Sequence, residues 1–274
     1  MKTHISGSGA RDIILAPGGP GLPTSFYGEL IEGLERFGTV HTVAFSGTHP
    51  QPQTPFPETI EEAADELADA ISTLSHDRTT VLVGHSYGAA VALELLCREG
   101  DHAVDGAVLI SGFPSGEFLA QSIAARMQEL PRAFHDAWTK AQGDEAATAA
   151  LTSEFWYPAH FCNVPWPESF VDGASKLNPL FLGHVLGPSV FEPTGSVRRW
   201  NREDCLPPRG TPLLVAGGVD DYFSPEAVRA AFSASQADAG NLEFLFSDAA
   251  SHSIWIEDPE SFRAGVEAYF ARIE

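Results

Sequence analysis

A serine hydroxyl becomes a nucleophile only when a base takes its proton and an acid orients that base. One serine of this chain sits where such activation is built in. Gly84-His85-Ser86-Tyr87-Gly88 follows the apolar run Thr80-Val81-Leu82-Val83 and precedes the helical pattern Ala89 to Leu96. A strand, a Gly-x-Ser-x-Gly turn and a helix together describe a nucleophile elbow. The turn is sharp, and flanking glycines let strand and helix approach without a Cβ clash. Ser86 is then exposed above a sheet at a helix N-terminus, where developing negative charge is stabilised.

The partners should follow later strands, in the order serine, acid, histidine. Pro212-Leu213-Leu214-Val215-Ala216 reads as a strand and leads into Gly217-Gly218-Val219-Asp220-Asp221. Leu242-Glu243-Phe244-Leu245-Phe246 leads into Ser247-Asp248-Ala249-Ala250-Ser251-His252. His252 is the expected base. Asp220 and Asp221 compete for the acid. The Gly-x-x-Asp spacing from Gly217 favours Asp220, which leaves Asp221 facing the substrate cleft or solvent. The strand Val108-Leu109-Ile110-Ser111 has no carboxylate near its end.

Attack at an acyl carbon creates an oxyanion, which needs two N–H donors. One is the amide of Tyr87, the residue after the nucleophile. The other should come from a loop after an early strand. Ile13-Ile14-Leu15 runs into Ala16-Pro17-Gly18-Gly19-Pro20-Gly21. Gly19 is the expected donor, with Gly18 the alternative.

The elements that carry these residues alternate. Strands are expected at Ile13–Ala16, Val40–Phe45, Thr80–Gly84, Ala107–Ser111, Pro212–Ala216 and Leu242–Phe246, mostly with helical patterns between them. From Thr59 to Leu74, residues Ile60, Ala63, Ala64, Leu67, Ile71 and Leu74 share one helical face. Thr59 and Glu62 read as a capping box. Asp258-Pro259 opens a last helix that buries Phe262, Val266, Tyr269, Phe270 and Ile273. This alternation indicates a mostly parallel, doubly wound α/β sheet. It breaks off near Gly112 and resumes near Thr211. The aromatic-rich stretch between reads as a helical cap: residues 1–112 and 208–274 form the core and 113–207 the insertion. Trp156, Tyr157, Val190 and Phe191 of the cap are candidate substrate contacts.

With 274 residues and 43% hydrophobic composition, one core of this kind is affordable. Lys+Arg number 16 and Asp+Glu 37, a formal charge of −21. That sign opposes nucleic acid and anionic membranes as partners. It leaves a small-molecule or short peptide-like substrate; composition says nothing of oligomeric state. Cys97, Cys162 and Cys205 suggest neither a disulfide framework nor a metal site, and Cys97 reads as a core residue. No apolar leader or membrane-length run stands out, so a cytoplasmic, reducing location is the expectation. Metal-binding and phosphate-binding motifs are missing, and no cofactor is expected.

The full set resembles the α/β-hydrolase fold and, more narrowly, the proline iminopeptidase family. Pro17-Gly18-Gly19-Pro20-Gly21 is similar to that family's His-Gly-Gly-Pro-Gly. Gly187-Pro188-Ser189-Val190-Phe191, followed by Gly195-Ser196-Val197-Arg198-Arg199-Trp200, resembles its Gly-Pro-Ser-Glu-Phe and Gly-x-Leu-x-x-Trp. His160-Phe161-Cys162 with Pro165-Trp166-Pro167-Glu168 resembles another of its cap motifs. The resemblance implies removal of N-terminal residues from peptides or small amides. It also implies two acids that anchor the substrate's ammonium: the Glu of Gly-Pro-Ser-Glu-Phe and an acid just after the triad aspartate. Here Val190 replaces the first, and Asp221 is expected to be the second. Cleavage of an aminoacyl amide is therefore the leading expectation, on a substrate drifted toward the apolar. An esterase, thioesterase or acyltransferase for a hydrophobic acyl chain is the alternative. A ligand-binding protein on a retired hydrolase scaffold is the third.

Overall fold

In a computed structural model of the chain, residues 2–51, 55–74, 77–99, 104–141, 143–206, 210–233 and 241–273 are described. In chain order these form β1 (Lys2–Ser6), β2 (Asp12–Ala16), α1 (Gly28–Glu35), β3 (Thr39–Ala44), α2 (Ile60–Ser72), β4 (Thr80–His85), α3 (Tyr87–Glu99) and β5 (Gly106–Ile110). The inserted segment follows: α4 (Gly116–Glu129), α5 (Arg132–Ala141), α6 (Glu145–Leu151), a π-helix over Thr152–Phe161, α7 (Glu168–Ser175) and α8 (Pro179–Val185). The core resumes with β6 (Leu213–Gly218), α9 (Pro225–Phe232), β7 (Leu242–Ser247), α10 (Ile254–Glu257) and α11 (Pro259–Phe270). The insertion's expected end at 207/208 lies outside the described residues.

The strands make one sheet in the order β1-β3-β2-β4-β5-β6-β7. Only β1 runs antiparallel, with Ile5 opposite His41 of β3. β4 is central, pairing Leu15 with Val83 on one side and Val83 with Val108 on the other. Such a sheet must be covered on both faces, and its inner strands β4, β5 and β6 are largely apolar for that reason. Ile14, Ala16, Leu82 and Leu109 pack toward α2, α3 and the cap. Ile13, Leu15, Val81, Val83, Val108 and Ile110 pack toward α1 and α11 on the other face. Parallel register brings the strand ends level: Ala16 pairs with Gly84, His85 with Ile110, and Gly218 with Ser247. The chain leaving each strand therefore emerges on one edge, the place where such sheets bind ligands.

The helices start where their caps dictate. Thr59 accepts from Glu62 N at 3.2 Å, while the Glu62 carboxylate reaches back to Glu58 N at 2.7 Å, one residue earlier than a capping box has it. Asp258 caps α11 and Pro259 opens it; Ile273 lies beyond its end. Three features depart from the sequence expectation. β1 was not anticipated, because Lys2-Thr3-His4-Ile5-Ser6 is polar at most positions, as an edge strand can be. The cap contains a π-helix, a rare form concentrated at functional sites. And Cys97, expected in the core, is disulfide-bonded to Cys205, with Cα atoms 5.9 Å apart across 108 residues. The bridge ties α3 to the chain returning from the cap, where the sequence suggested no disulfide. No helix among the described residues is long and apolar enough to cross a membrane.

Candidate active site

Ser86 leaves β4 with a left-handed φ of 53°. Its amide donates to Ile110 O at 2.9 Å, and its carbonyl accepts from Ala89 N and Ala90 N, opening α3. This conformation strains a non-glycine residue, and strain of this kind concentrates at functional sites. The flanking glycines are sterically required. A Cβ on Gly84 would lie 2.6 Å from Gly88 O, and one on Gly88 would lie 2.1 Å from Ala16 O. Ser111 also has positive φ, 52°. It is not an elbow, because no helix starts at it, and its hydroxyl donates to the His252 carbonyl at 3.0 Å. Of these two serines, Ser86 lines the cavity and Ser111 does not.

His252 Nδ1 is 2.6 Å from Asp221 Oδ1, and both residues are buried. This corrects the expectation for the acid, which is Asp221 and not Asp220. β6 continues through Gly217 and Gly218, two residues past its expected end, so the turn that presents the acid starts later. Asp220 is exposed, and its carbonyl is engaged by His160 Nδ1 at 2.9 Å. Gly217 leaves room for the acid: a Cβ there would come 3.0 Å from Asp221 Oδ2. Nor is Asp221 available as an ammonium anchor. The residue after the orienting acid is Tyr222, whose ring stacks on His252 at 4.1 Å and 14°.

The turns that carry this pair are held by neighbours that sequence patterns did not reveal. Arg126 of α4 donates from Nε to Asp221 O at 2.7 Å and from Nη2 to Val219 O, tying the acid turn to the cap. Glu257 accepts from Ser251 N, Ser251 Oγ and Ser253 N at 3.0, 2.6 and 2.9 Å, bracketing His252. Arg126 lies 95 residues from Asp221 in sequence, and neither it nor Glu257 carries a local motif.

Gly19, with φ of 52°, lines the cavity beside Ser86 and His252. The Gly18 N–H donates to Tyr27 Oη at 2.6 Å, which removes the alternative donor. Among the described residues no acceptor is paired with Gly19 N–H or Tyr87 N–H.

The cavity measures about 340 Å³. Its walls are largely apolar: Leu22, Phe26, Phe161, Trp166, Leu182, Leu186 and Val190. A more polar wall runs along α6 into the π-helix, where Glu145, Thr148, Thr152 and Ser153 recur at helical spacing. Of the expected cap contacts, Tyr157 and Val190 line the cavity. Trp156 and Phe191 do not: both are buried, and they pack on each other at 5.5 Å in the cap's own core. Phe161 and Tyr222, both against His252, were not singled out as contacts from sequence. No group of His, Cys, Asp and Glu that could hold a metal is assembled among the described residues.

The arrangement, an elbow serine with a buried His–Asp pair, is that of a serine hydrolase. Comparison with known proteins agrees. The chain is 22% identical to a proline iminopeptidase of Chitinophaga pinensis, over 95% of this chain and 90% of that one. It is 25% identical to another from Lactobacillus delbrueckii subsp. lactis, over 78% and 75%. Its fold matches the crystal structure of a proline iminopeptidase from Mycobacterium smegmatis with a TM-score of 0.84 at 21% identity, covering 99% and 94% of the two chains. It matches that of VinJ with a TM-score of 0.85 at 22% identity, covering 99% and 95%. The model of the alpha/beta hydrolase family matches residues 13–264, nearly the whole chain, and the protein belongs to that family.

Proposed function

We propose that the protein hydrolyses an acyl compound through Ser86, and that the acyl group it accepts is mainly apolar and bound without an ammonium anchor. His252 Nε2 takes the Ser86 proton as Oγ attacks the acyl carbon. The oxyanion is held by the amides of Gly19 and Tyr87. Asp221 accepts from His252 Nδ1–H and stabilises the imidazolium. His252 then gives its proton to the leaving group. Water, deprotonated by the same base, releases the acid and restores Ser86.

One observation carries the substrate class. Both positions at which the resemblance implies a carboxylate for the substrate ammonium lack one: Val190 stands at the first, and Tyr222 follows the orienting acid. A buried ammonium without a counter-charge is strongly disfavoured. An ester, thioester or hydrophobic amide fits these walls. A second reading, cleavage of an aminoacyl amide, is favoured by the names of the relatives and by Glu145, a carboxylate on the cavity wall.

The test is a panel of aryl esters, acyl thioesters and aminoacyl arylamides, the last with free and blocked amines. Turnover of esters together with equal or faster turnover of blocked amides is expected. A strict requirement for the free amine contradicts the proposal and supports the second reading.

A further inference from the structure

Behind Ser86 runs a buried hydrogen-bonded chain that the acyl chemistry does not by itself require. Gly18 N–H donates to Tyr27 Oη at 2.6 Å. Tyr27 Oη is 3.0 Å from His85 Nδ1. His85 Nε2 is 3.2 Å from the carbonyl oxygen of His252. Tyr27, His85 and His252 are all at most 1% exposed.

The protons along this chain follow from what each atom can do. A carbonyl oxygen only accepts, so Nε2 of His85 carries a proton. A neutral imidazole then presents Nδ1 as an acceptor, and Tyr27 donates to it. The phenol oxygen keeps lone pairs for Gly18 N–H. Every donor meets an acceptor in this arrangement alone; the other tautomer leaves Nε2 facing the carbonyl lone pairs. Burial, reinforced by the proximity of His252, holds the His85 value well below the ordinary one, and burial keeps Tyr27 a phenol. The ring of Trp255 closes the edge of His85 at 4.6 Å.

This chain runs from the loop that presents Gly19, through the residue before Ser86, to the backbone of the base. On the reading of Ser86, Gly19 and His252 given above, we infer that Tyr27 and His85 are positioning residues. They lock the oxyanion loop and the base loop to the nucleophile elbow as one unit. The contact at Gly18 is close: a Cβ there would lie 2.5 Å from His85 O and 2.7 Å from His85 Nδ1. The loop's other side is tied to the cap, where Asn178 N donates to Gly21 O at 3.1 Å. Removing Tyr27 Oη therefore frees the catalytic side of the loop and leaves its cap side held. On the base side, Ser111 Oγ shares the His252 carbonyl with His85.

Tyr27→Phe keeps the ring and its packing and deletes one oxygen. His85→Gln keeps a donor near the carbonyl and loses the ring acceptor. Wild type, both variants, the double variant and Ser86→Ala are compared by fluorophosphonate labelling rate, by kcat and KM on a short-chain aryl ester, and by thermal melting. ¹⁵N-histidine NMR of the wild type reads the His85 tautomer. Displacement of catalytic groups by an ångström or loss of one oxyanion donor costs on the order of 100-fold. Each single variant is therefore expected to label about 10- to 100-fold more slowly, through kcat with KM within about twofold. The double variant should be no slower than the worse single, because both break one chain. His85 should show a protonated Nε2 and a bare Nδ1. Tyr27→Phe labelling at the wild-type rate, additive losses in the double variant, or a protonated Nδ1 overturns the inference. Undiminished labelling of Ser86→Ala instead sinks the Ser86 reading itself, before either variant is considered.

Discussion

Asp220 and Asp221 are neighbours in sequence with opposite surroundings: one faces solvent, the other is 2% exposed against His252. Their substitution should separate cleanly. Asp221→Asn keeps the shape but favours the wrong histidine tautomer, and is expected to lower kcat on an aryl ester by about 1,000- to 10,000-fold. Asp220→Asn should stay within about twofold. A large loss in Asp220→Asn would reverse the assignment. That Gly18-Gly19, Ser86 and His252 each follow a strand was legible, because a distinct apolar run precedes each of them. The acid was not, since two adjacent carboxylates are separated only by how far β6 runs, and Gly217-Gly218 look like a turn when they continue the strand. A second residue-scale expectation concerns pH. The folded-state value of His85 lies below its ordinary value near 6.5, so the unfolded chain binds the proton first. The stability this contributes is present above that value and is lost as pH falls below it, by at most about 1.4 kcal/mol per pH unit. Unfolding midpoints measured from pH 7 to pH 5 should fall less steeply in His85→Gln than in wild type. Parallel profiles would mean that His85 takes up its proton unhindered in the fold.

Among the elements, α3 does more than follow the elbow. Its Glu94 is fully buried and accepts from Trp200 Nε1 at 2.8 Å and from Arg202 Nε and Nη2, both at 2.7 Å. With the Cys97–Cys205 bridge, this pins the nucleophile helix to the chain leaving the cap. Arg202→Met leaves a buried carboxylate without its main counter-charge. It should cost about 3 kcal/mol, at the low end for such a break because the Arg202 side chain is 31% exposed. Adding Glu94→Gln should recover part of that loss in denaturant unfolding; no recovery would show that Glu94 is not the partner that matters. This clasp was invisible beforehand. A glutamate inside an apolar helix face gives no sign of a partner 108 residues away, and three scattered cysteines give no sign of pairing. The helices with local signals, α2 with Thr59 and α11 with Asp258-Pro259, begin where those caps stand. The π-helix lacks such a signal, and Pro158 within it argues against helix altogether.

In the whole molecule the strand ends carry Ser86, Asp221 and His252, and the cap supplies most of the cavity walls. The parallel order was legible from alternating apolar runs and helical patterns. Which cap aromatics face the cavity was not, because Trp156, Tyr157, Phe161 and Phe191 look alike as a sequence and only packing sorts them. On the proposed reading, specificity rests on the cap wall that includes Val190. Val190→Glu places a carboxylate into this cavity, and a charge-assisted partner in a desolvated site is worth several kcal/mol. The variant should raise the preference for free over blocked aminoacyl arylamides at least about tenfold, read as a ratio of kcat/KM values. An unchanged ratio would mean that substrate does not reach Val190.

All of this depends on which serine reacts, and two have the backbone conformation of a nucleophile. Fluorophosphonate labelling followed by peptide mass spectrometry addresses it directly. The adduct is expected on Ser86, lost in Ser86→Ala and retained in Ser111→Ala, whose hydroxyl only holds the His252 carbonyl. An adduct on Ser111, or labelling that survives Ser86→Ala, would contradict the account.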